Sequence, residues 1–395
     1  MCLPYADVGH AGGKTLNYYI NRFANENEFE VKLISKVLPD EINNVGKLNN
    51  KIDFYPIMMP KNTLKRFLAF GSSINSKINP FYKYGNVLTN EIYKQIENSL
   101  CMLKNEKYEP DIIVMEWTYI LLFIKTIKKY YPNAKYVASE HDVSFLGYQR
   151  KFDIQQNLIK KIISYIQFKT IFKYEFECLR TCDLVVTHNE KDMQLLLNNG
   201  FPSRCIHVIS PYYDTFEIVK KTKGKDIIFY GAMNRYENYQ SAIWFIDNVI
   251  PLLKDEDIRF IVVGNKPPEV LKEKECSRII VTGFVKDPSI YFEKALCFVA
   301  PLLLGAGVKV KILEALSSGI PVLTNNIGIE GIDAKNGREY IHCDTPQEYA
   351  DVIKKIINGK IDVEEITNSA LKFMKIKYNL NESYLKYKEK IETLL

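Results

Sequence analysis

The densest chemistry in this sequence lies in residues 297–324, CFVAPLLLGAGVKVKILEALSSGIPVLT. The run reads as a strand over 297–304, a glycine turn, a helix from about 308, a Ser-Ser-Gly stop and a second strand. Val308, Ile312, Ala315 and Leu316 recur at i, i+4, i+7 and i+8, an apolar face for a sheet. Gly307, Lys311 and Glu314 recur at i, i+4 and i+7 on the other side. Gly305, Ala306 and Gly307 keep the helix start small, where backbone N–H groups and the helix dipole favour an anion. Lysine adds charge, and a carboxylate accepts from hydroxyls. That set suits a sugar nucleotide: amides and Lys311 for a diphosphate, Glu314 for a ribose. The competing reading is a solvated Lys–Glu pair three residues apart, worth about 0.2–0.5 kcal/mol. A dinucleotide fingerprint fails, because its third glycine would be Val310.

Other residues invite smaller claims. Glu140, His141 and Asp142 end a strand pattern, KYVAS (135–139). A histidine flanked by carboxylates can serve acid–base work or contact a substrate; the plainer alternative is an orienting or capping cluster before VSFLGYQR. GHAGGKT (9–15) looks like a phosphate loop, but the first glycine of a Walker turn would fall on Val8. The supporting strand is barely present, and DIIVMEW supplies Glu116 where that site needs an aspartate. Gly12 and Gly13 still allow close backbone approach, with a helix opening at Lys14. An anion-friendly helix start and a tight turn without ligand both fit. His188, in THNEKD, is expected at a strand-to-helix junction capped by Asn189 or Thr187. His207 is expected to pack within a strand. No His, Cys or Asp spacing reads as a metal site, and no cofactor is called for.

These residues need elements to hold them. Strand-like runs occur at 29–35, 53–58, 111–115, 135–139, 184–188 and 205–210, mostly separated by amphipathic helical stretches. The pattern restarts at 226–231 and continues at 258–264, 278–284, 297–304, 321–324 and 339–343. Strand–helix alternation implies parallel sheets covered on both faces. The expected fold class is α/β: two doubly wound, Rossmann-like domains facing a cleft, with ligands beyond the carboxyl ends of strands. The polar, aperiodic segment 211–226 is the linker candidate. The expected domains are 1–214 and 215–379, with a helix over 380–395. Only MCLPY precedes the first glycine turn, so the first strand is expected to be truncated, its start lying upstream of Met1.

Bulk properties narrow the classes. The 395 residues are 47% hydrophobic and 25% charged, ordinary for a globular chain. A net charge of +6 suits anionic ligands or lipid but is too weak to argue for nucleic acid. Eight cysteines without a C-x-x-C, with Cys178 and Cys182 four apart on a predicted helix, read as reduced core thiols in a cytoplasmic setting. Neither a signal peptide nor a spanning apolar run is seen. The long helical pattern 150–180 mixes Arg150, Lys151, Lys160, Lys161, Lys169 and Lys173 with Ile, Tyr and Phe. It is a candidate for peripheral contact with the cytoplasmic face of an inner membrane; the alternative is a core helix with a solvated lysine face. The aromatic, basic stretch 62–85 is a candidate acceptor loop.

Residues 300–332, APLLLGAGVKVKILEALSSGIPVLTNNIGIEGI, resemble the donor-site signature of the retaining GT-B glycosyltransferases of family 4 (glycosyl transferases group 1). YGAMNRYENYQSAIWFIDNVIPLL (230–253) resembles the family's first C-domain loop and helix, and VVGNKPPE and VTGFVKD its next two strand ends. ASEHDVSF (138–145) is similar to its acceptor-side loop, and Gly12 and Gly13 sit where its first glycine loop sits. The resemblance covers essentially the whole chain and is most specific in the second half. It implies a nucleotide-diphosphate-sugar donor, a glycan or lipid-linked glycan acceptor in cell-surface polysaccharide synthesis, and retention; nothing in the sequence requires a metal. It implies that Glu314, the second Glu of E-x7-E, holds the ribose, and that Gly305 and Gly307 approach the sugar and phosphate. Lys309 and Lys311 match basic positions. Gly231 matches the opening of the phosphate-facing loop, and His141 a histidine near donor sugar and acceptor. The family's Arg/Lys pair after Gly231 is reduced to Arg235, with Glu237 nearby, and the first Glu of E-x7-E is Ala306. Ala306 keeps open a silent sugar-nucleotide-binding partner protein; Glu116, Glu140 and Asp142 keep open an epimerase or hydrolase.

Overall fold

Each run read as a strand from its β-branched and aromatic content pairs in a parallel sheet of the computed structural model. The structure describes residues 3–39, 41–58, 90–153, 155–216, 224–305 and 307–395. The candidate loop 62–85 and Ala306 lie outside the described residues. The chain divides into Met1–Tyr212 with Asn381–Leu395, and Tyr213–Leu380.

In the first unit, β1 (Val31–Val37) pairs with β2 (Ile52–Met58). A second parallel sheet runs β3 (Ile112–Glu116), β4 (Lys135–Glu140), β5 (Leu184–Thr187), β6 (Ile206–Val208). Alternate side chains serve opposite faces. Tyr136, Ala138 and Val185 join one core. Val137, Leu184 and Val186 join another, with Tyr19, Tyr384 and Tyr387. Tyr19 belongs to α1 (Ala11–Asn25) and the other two tyrosines to the helix Leu380–Glu392. Lys388 of that last helix pairs with Glu26 and, at 3.0 Å, with Glu28.

Three local expectations are corrected here. α1 opens at Ala11, not Lys14, because His10 caps it: Nδ1 accepts from Gly13 N–H at 3.1 Å. Gly12 and Gly13 are therefore first-turn residues of a helix, not a loop. Leu3 and Val8 are buried ahead of α1, and among the described residues no strand precedes it. The pattern over 150–180 breaks into α2 (Ser144–Asp153) and α3 (Leu158–Leu179), because Asn157 starts a new helix by accepting from Lys160 N–H. Cys182 lies beyond the end of α3, though buried beside Cys178.

Among its described residues the second unit holds six parallel strands: β7 (Asp226–Tyr230), β8 (Arg259–Val263), β9 (Ile279–Val281), β10 (Ala295–Ala300), β11 (Val322–Thr324) and β12 (Ile341–His342). Their order is β12-β11-β10-β7-β8-β9. The chain travels outward from β7 to β9, then returns to lay β10 on the other side of β7. The β7–β10 boundary is thus the switch point of a doubly wound sheet, where the loops after adjacent strands part and leave a crevice. β10 stops at Ala300, short of the expected 304, because Pro301 lacks the N–H that the ladder needs. The helix after it begins at Val310, not 308.

Candidate functional site

Two groups of side chains stand at carboxyl ends of strands, one in each unit. In the second unit, Gly231 follows β7 and donates its N–H to Val263 O at 3.0 Å. The loop after β7 leads into α4 (Tyr236–Asn248), and the loop after β10 leads into α5 (Val310–Ser317). A Cβ at Gly231 would lie 3.0 Å from Lys311 Nζ and 3.2 Å from Asn238 Nδ2, so a side chain here would press on both and glycine lets the turn come close. Lys311 donates to Asn238 Oδ1, and Asn238 Nδ2 donates to Ala232 O at 2.8 Å. The ammonium also lies 5.0 Å from the Phe229 ring centroid. Burial pushes the pKa of Lys311 down to about 7; Arg235 and Lys309 add repulsion, while Glu237 and Glu314 oppose it.

The other expected donor residues surround this lysine at different depths. Arg235, at the N-cap of α4, is exposed and paired with Glu237. Gly307 adopts a left-handed φ of +66°, and its carbonyl accepts from Lys309 Nζ, which also reaches Glu330 Oε2 at 3.4 Å. Gly305 stands before it in the same loop. Glu314 departs from expectation. Its helix begins two residues late and buries Ile312, Leu313, Ala315 and Leu316 along with Glu314 itself, so no solvated stripe exists. Glu314 is 4% exposed and close enough to Tyr230 to add to the rise that burial imposes on that phenol. Lys311 likewise turns inward, beneath Gly231, rather than out toward water.

In the first unit the parallel register builds a row of rings. Glu116 pairs with Ser139 across β3 and β4, and Glu140 with Thr187 across β4 and β5. The residues just past the strand ends, Trp117, His141 and His188, therefore come side by side. His141 is sandwiched: its ring centroid lies 4.2 Å from Trp117 and 4.4 Å from His188, nearly parallel to both. His141 Nε2 lies 2.8 Å from Glu116 Oε2. Trp117 holds a left-handed φ of +67°, a strained conformation for a bulky residue. A Cβ on Gly12 would come within 3.0 Å of the Trp117 ring and 3.3 Å of His141 Nδ1. The first turn of α1 thus closes over the imidazole, and Gly12 belongs to this group, while Gly13 is tied to the cap at His10.

Below the rings the chain buries acids. Glu140 is fully buried, accepts from Thr118 Oγ1, and leaves Oε1 without a partner; burial pushes its pKa up to about 8. Glu175 accepts from the N–H groups of Ser144 at 3.0 Å and Phe145 at 2.9 Å, and burial raises it strongly as well. Asp142 reaches the surface, while the protein around it raises its carboxyl and His141 opposes that rise. His188 is buried with neither ring nitrogen hydrogen-bonded, and desolvation keeps it neutral. Asn189 caps the following helix by accepting from Asp192 N–H at 2.8 Å. His207 packs in β6, its ring 6.3 Å from that of Tyr387.

Residues 224–359 match the family model of Glycosyl transferases group 1. Tyr213–Leu380 carries a group 1 glycosyltransferase domain. The chain is also 25% identical over 296 residues to an uncharacterized 44.6 kDa protein in the cps region of Klebsiella pneumoniae, covering 70% of this chain and 72% of that protein. The crystal structure of HepE from Anabaena in complex with UDP superposes with a TM-score of 0.68 at 10% identity, over 99% of each chain. The crystal structure of TarM gives a TM-score of 0.55 at 16% identity over 73% of this chain, which spans 57% of TarM. These likenesses show the GT-B fold, with its two Rossmann-like domains.

In the group 1 domain, the geometry brings together Gly231, Lys311, Asn238, Glu314 and, at the rim, Arg235. Asn238 and the Lys309–Glu330 pair escaped the reading of the sequence. Only the backbone path brings Asn238 to Lys311, 73 residues away. In the first unit, the sequence offers Glu116 as a carboxylate at a strand end and His188 at a strand-to-helix junction. Their position just at the ends of β3 and β5 was the signal that joins them to His141. Among the described residues no helix is long and apolar enough to cross a membrane.

Proposed function

We propose that the protein moves a sugar from a nucleotide-diphosphate-sugar donor to a hydroxyl of a glycan or lipid-linked glycan in cell-surface polysaccharide synthesis, with retention. The observation that carries this reading is the half-buried Lys311 beneath the Gly231 turn, at the switch point of the group 1 domain, with Glu314 one turn along the same helix. Lys311 and Arg235, with the amides of Gly305 and Gly307, hold the diphosphate and stabilise the charge that grows as the anomeric C–O bond breaks. Glu314 accepts from the ribose hydroxyls. The acceptor oxygen forms the new bond to the anomeric carbon, and its proton leaves through His141, beside Asp142, to solvent. Cationic side chains supply the charge that a metal would bring, so the reading includes activity in a chelator.

The UDP bound in HepE and the cps region of the Klebsiella relative support a nucleotide-sugar donor and a polysaccharide product. The test is a mass-spectrometric screen of nucleotide sugars against glycan and lipid-linked acceptors, with and without chelator. A glycosylated product in chelator is expected. Free sugar alone, formed equally without acceptor, would make the protein a hydrolase. No turnover together with no calorimetric binding of any donor would sink the enzymatic reading.

A further inference from the structure

The long helix α3 begins with no core beneath it. None of its residues before Ser164 is buried, although the segment is apolar. Leu158 is 73% exposed, Ile159 71%, Ile162 54% and Tyr165 45%. Their spacing of i, i+1, i+4 and i+7 makes one continuous ridge over two turns. The Phe152 ring of α2 lies 5.4 Å from that of Tyr165 and extends the ridge across the helix pair. Large aliphatic side chains standing in water at such exposure mark a surface that meets something.

The charges around the ridge say what. From 150 to 169 the chain carries Arg150, Lys151, Lys160, Lys161 and Lys169 against one acid, Asp153, while Lys173, one turn further on, pairs with Glu177. Two of these lysines lie among the rings: Lys161 Nζ is 5.5 Å from the Phe152 centroid, and Lys169 Nζ is 5.6 Å from that of Tyr165. A second copy of this chain docking here through a two-fold axis would set one row of cations against another. An anionic bilayer accepts both features at once, taking the apolar ridge among acyl chains and the ammonium groups at the phosphates.

We propose that the α2–α3 hairpin, through Leu158, Ile159, Ile162 and Tyr165 ringed by its lysines, docks on an anionic phospholipid surface. The docking needs neither donor nor turnover, so its failure would leave the transferase reading untouched. The test is flotation of the full chain with vesicles of phosphatidylcholine alone and of phosphatidylcholine mixed with phosphatidylglycerol. Two variants accompany it: Leu158→Ser/Ile159→Ser/Ile162→Ser, and Lys160→Gln/Lys161→Gln. All sites changed lie outside the core, and the unfolding midpoint checks that each variant folds. The parent is expected to float with the phosphatidylglycerol vesicles and not with neutral ones, and each variant to lose about tenfold or more in binding. Equal flotation of parent and variants, or no flotation with anionic vesicles, would overturn the proposal. So would a concentration-dependent dimer, seen by sedimentation, that the serine variant disperses.

Discussion

Nε2 of His141 lies 2.8 Å from Oε2 of Glu116, and the imidazole between them and the next strand is clamped by Trp117 on one face and His188 on the other. A ring held by two stacked neighbours and one carboxylate has a single orientation. Glu116 accepts from Nε2–H, which leaves Nδ1 directed toward α1 at Gly12. His188 makes no bond to that carboxylate: both of its ring nitrogens are buried without a partner, and desolvation keeps the ring neutral.

Glu116 is therefore a positioning residue. Glu116→Gln keeps the shape but can donate as well as accept, so it no longer selects one tautomer of His141. Proton-transfer groups contribute about 10²–10⁴-fold to rates, and a loosened one is expected to forfeit about tenfold to a hundredfold. The loss should appear in kcat, with donor KM and the melting temperature unchanged, and His141→Ala should cost more. An unchanged kcat in Glu116→Gln would remove the carboxylate from the mechanism.

Lys311 makes a prediction in protons. Its folded pKa, near 7, lies below the value of 10.5 for the free side chain, so between those limits the unfolded chain binds the extra proton. Stability should rise with pH across that window, and Lys311→Met should flatten the rise. A bound diphosphate favours the ammonium, so donor binding at pH 8 should take up protons. Calorimetry of UDP binding in buffers of different ionisation enthalpy reads this directly. The parent's observed enthalpy should vary with buffer and that of Lys311→Met should not; buffer-independent heats in the parent would place the diphosphate elsewhere.

How far the sequence foretold all this depends on what each feature rests upon. The strands were legible because β7 and β8 are runs of Ile, Val and Phe and β10 is an unbroken apolar run between turns, and their alternation with helices dictates a parallel sheet. The glycine turns at Gly231 and Gly307 stood out for the same local reason. What was hidden depends on partners far along the chain. Periodicity put Glu314 and Lys311 on one helical stripe but could not say that the Gly231 turn and Asn238 cover it. The His141 stack comes from the register of β4 against β5, which pairs Glu140 with Thr187, and no local pattern encodes a register. The left-handed Trp117 runs against every propensity, which is where tertiary packing overrides local preference.

Glu314 should separate the ribose from the diphosphate. If it accepts from ribose hydroxyls, Glu314→Gln weakens UDP binding by about tenfold to a hundredfold, the range of a lost charge-assisted hydrogen bond of about 1.5–3 kcal/mol. The parent's preference for UDP over 2′,3′-dideoxy-UDP should shrink by the same factor, while affinity for the dideoxy compound stays constant. An equal loss for both nucleotides would mean that Glu314 acts on Lys311 or on the fold and never touches the sugar.

Glu140 gives the opposite pH dependence to Lys311, in the other unit. Its carboxyl is raised by burial from 4.5 to about 8, so the folded chain holds a proton that the unfolded chain has already released. The sign follows: its contribution to stability is present below the unfolded value and is lost as pH climbs from about 5 toward 8. Thr118 Oγ1 donates to one oxygen, the other has no partner, and Glu175 adds a second buried acid that resists a charge here. Glu140→Gln mimics the protonated form and has nothing to titrate. Melting temperatures of parent and variant should lie close together at pH 5 and diverge toward pH 8, the variant melting higher. Parallel curves would show that Glu140 is ionised throughout, with a compensating cation or water against Oε1, and would move the buried proton to Glu175.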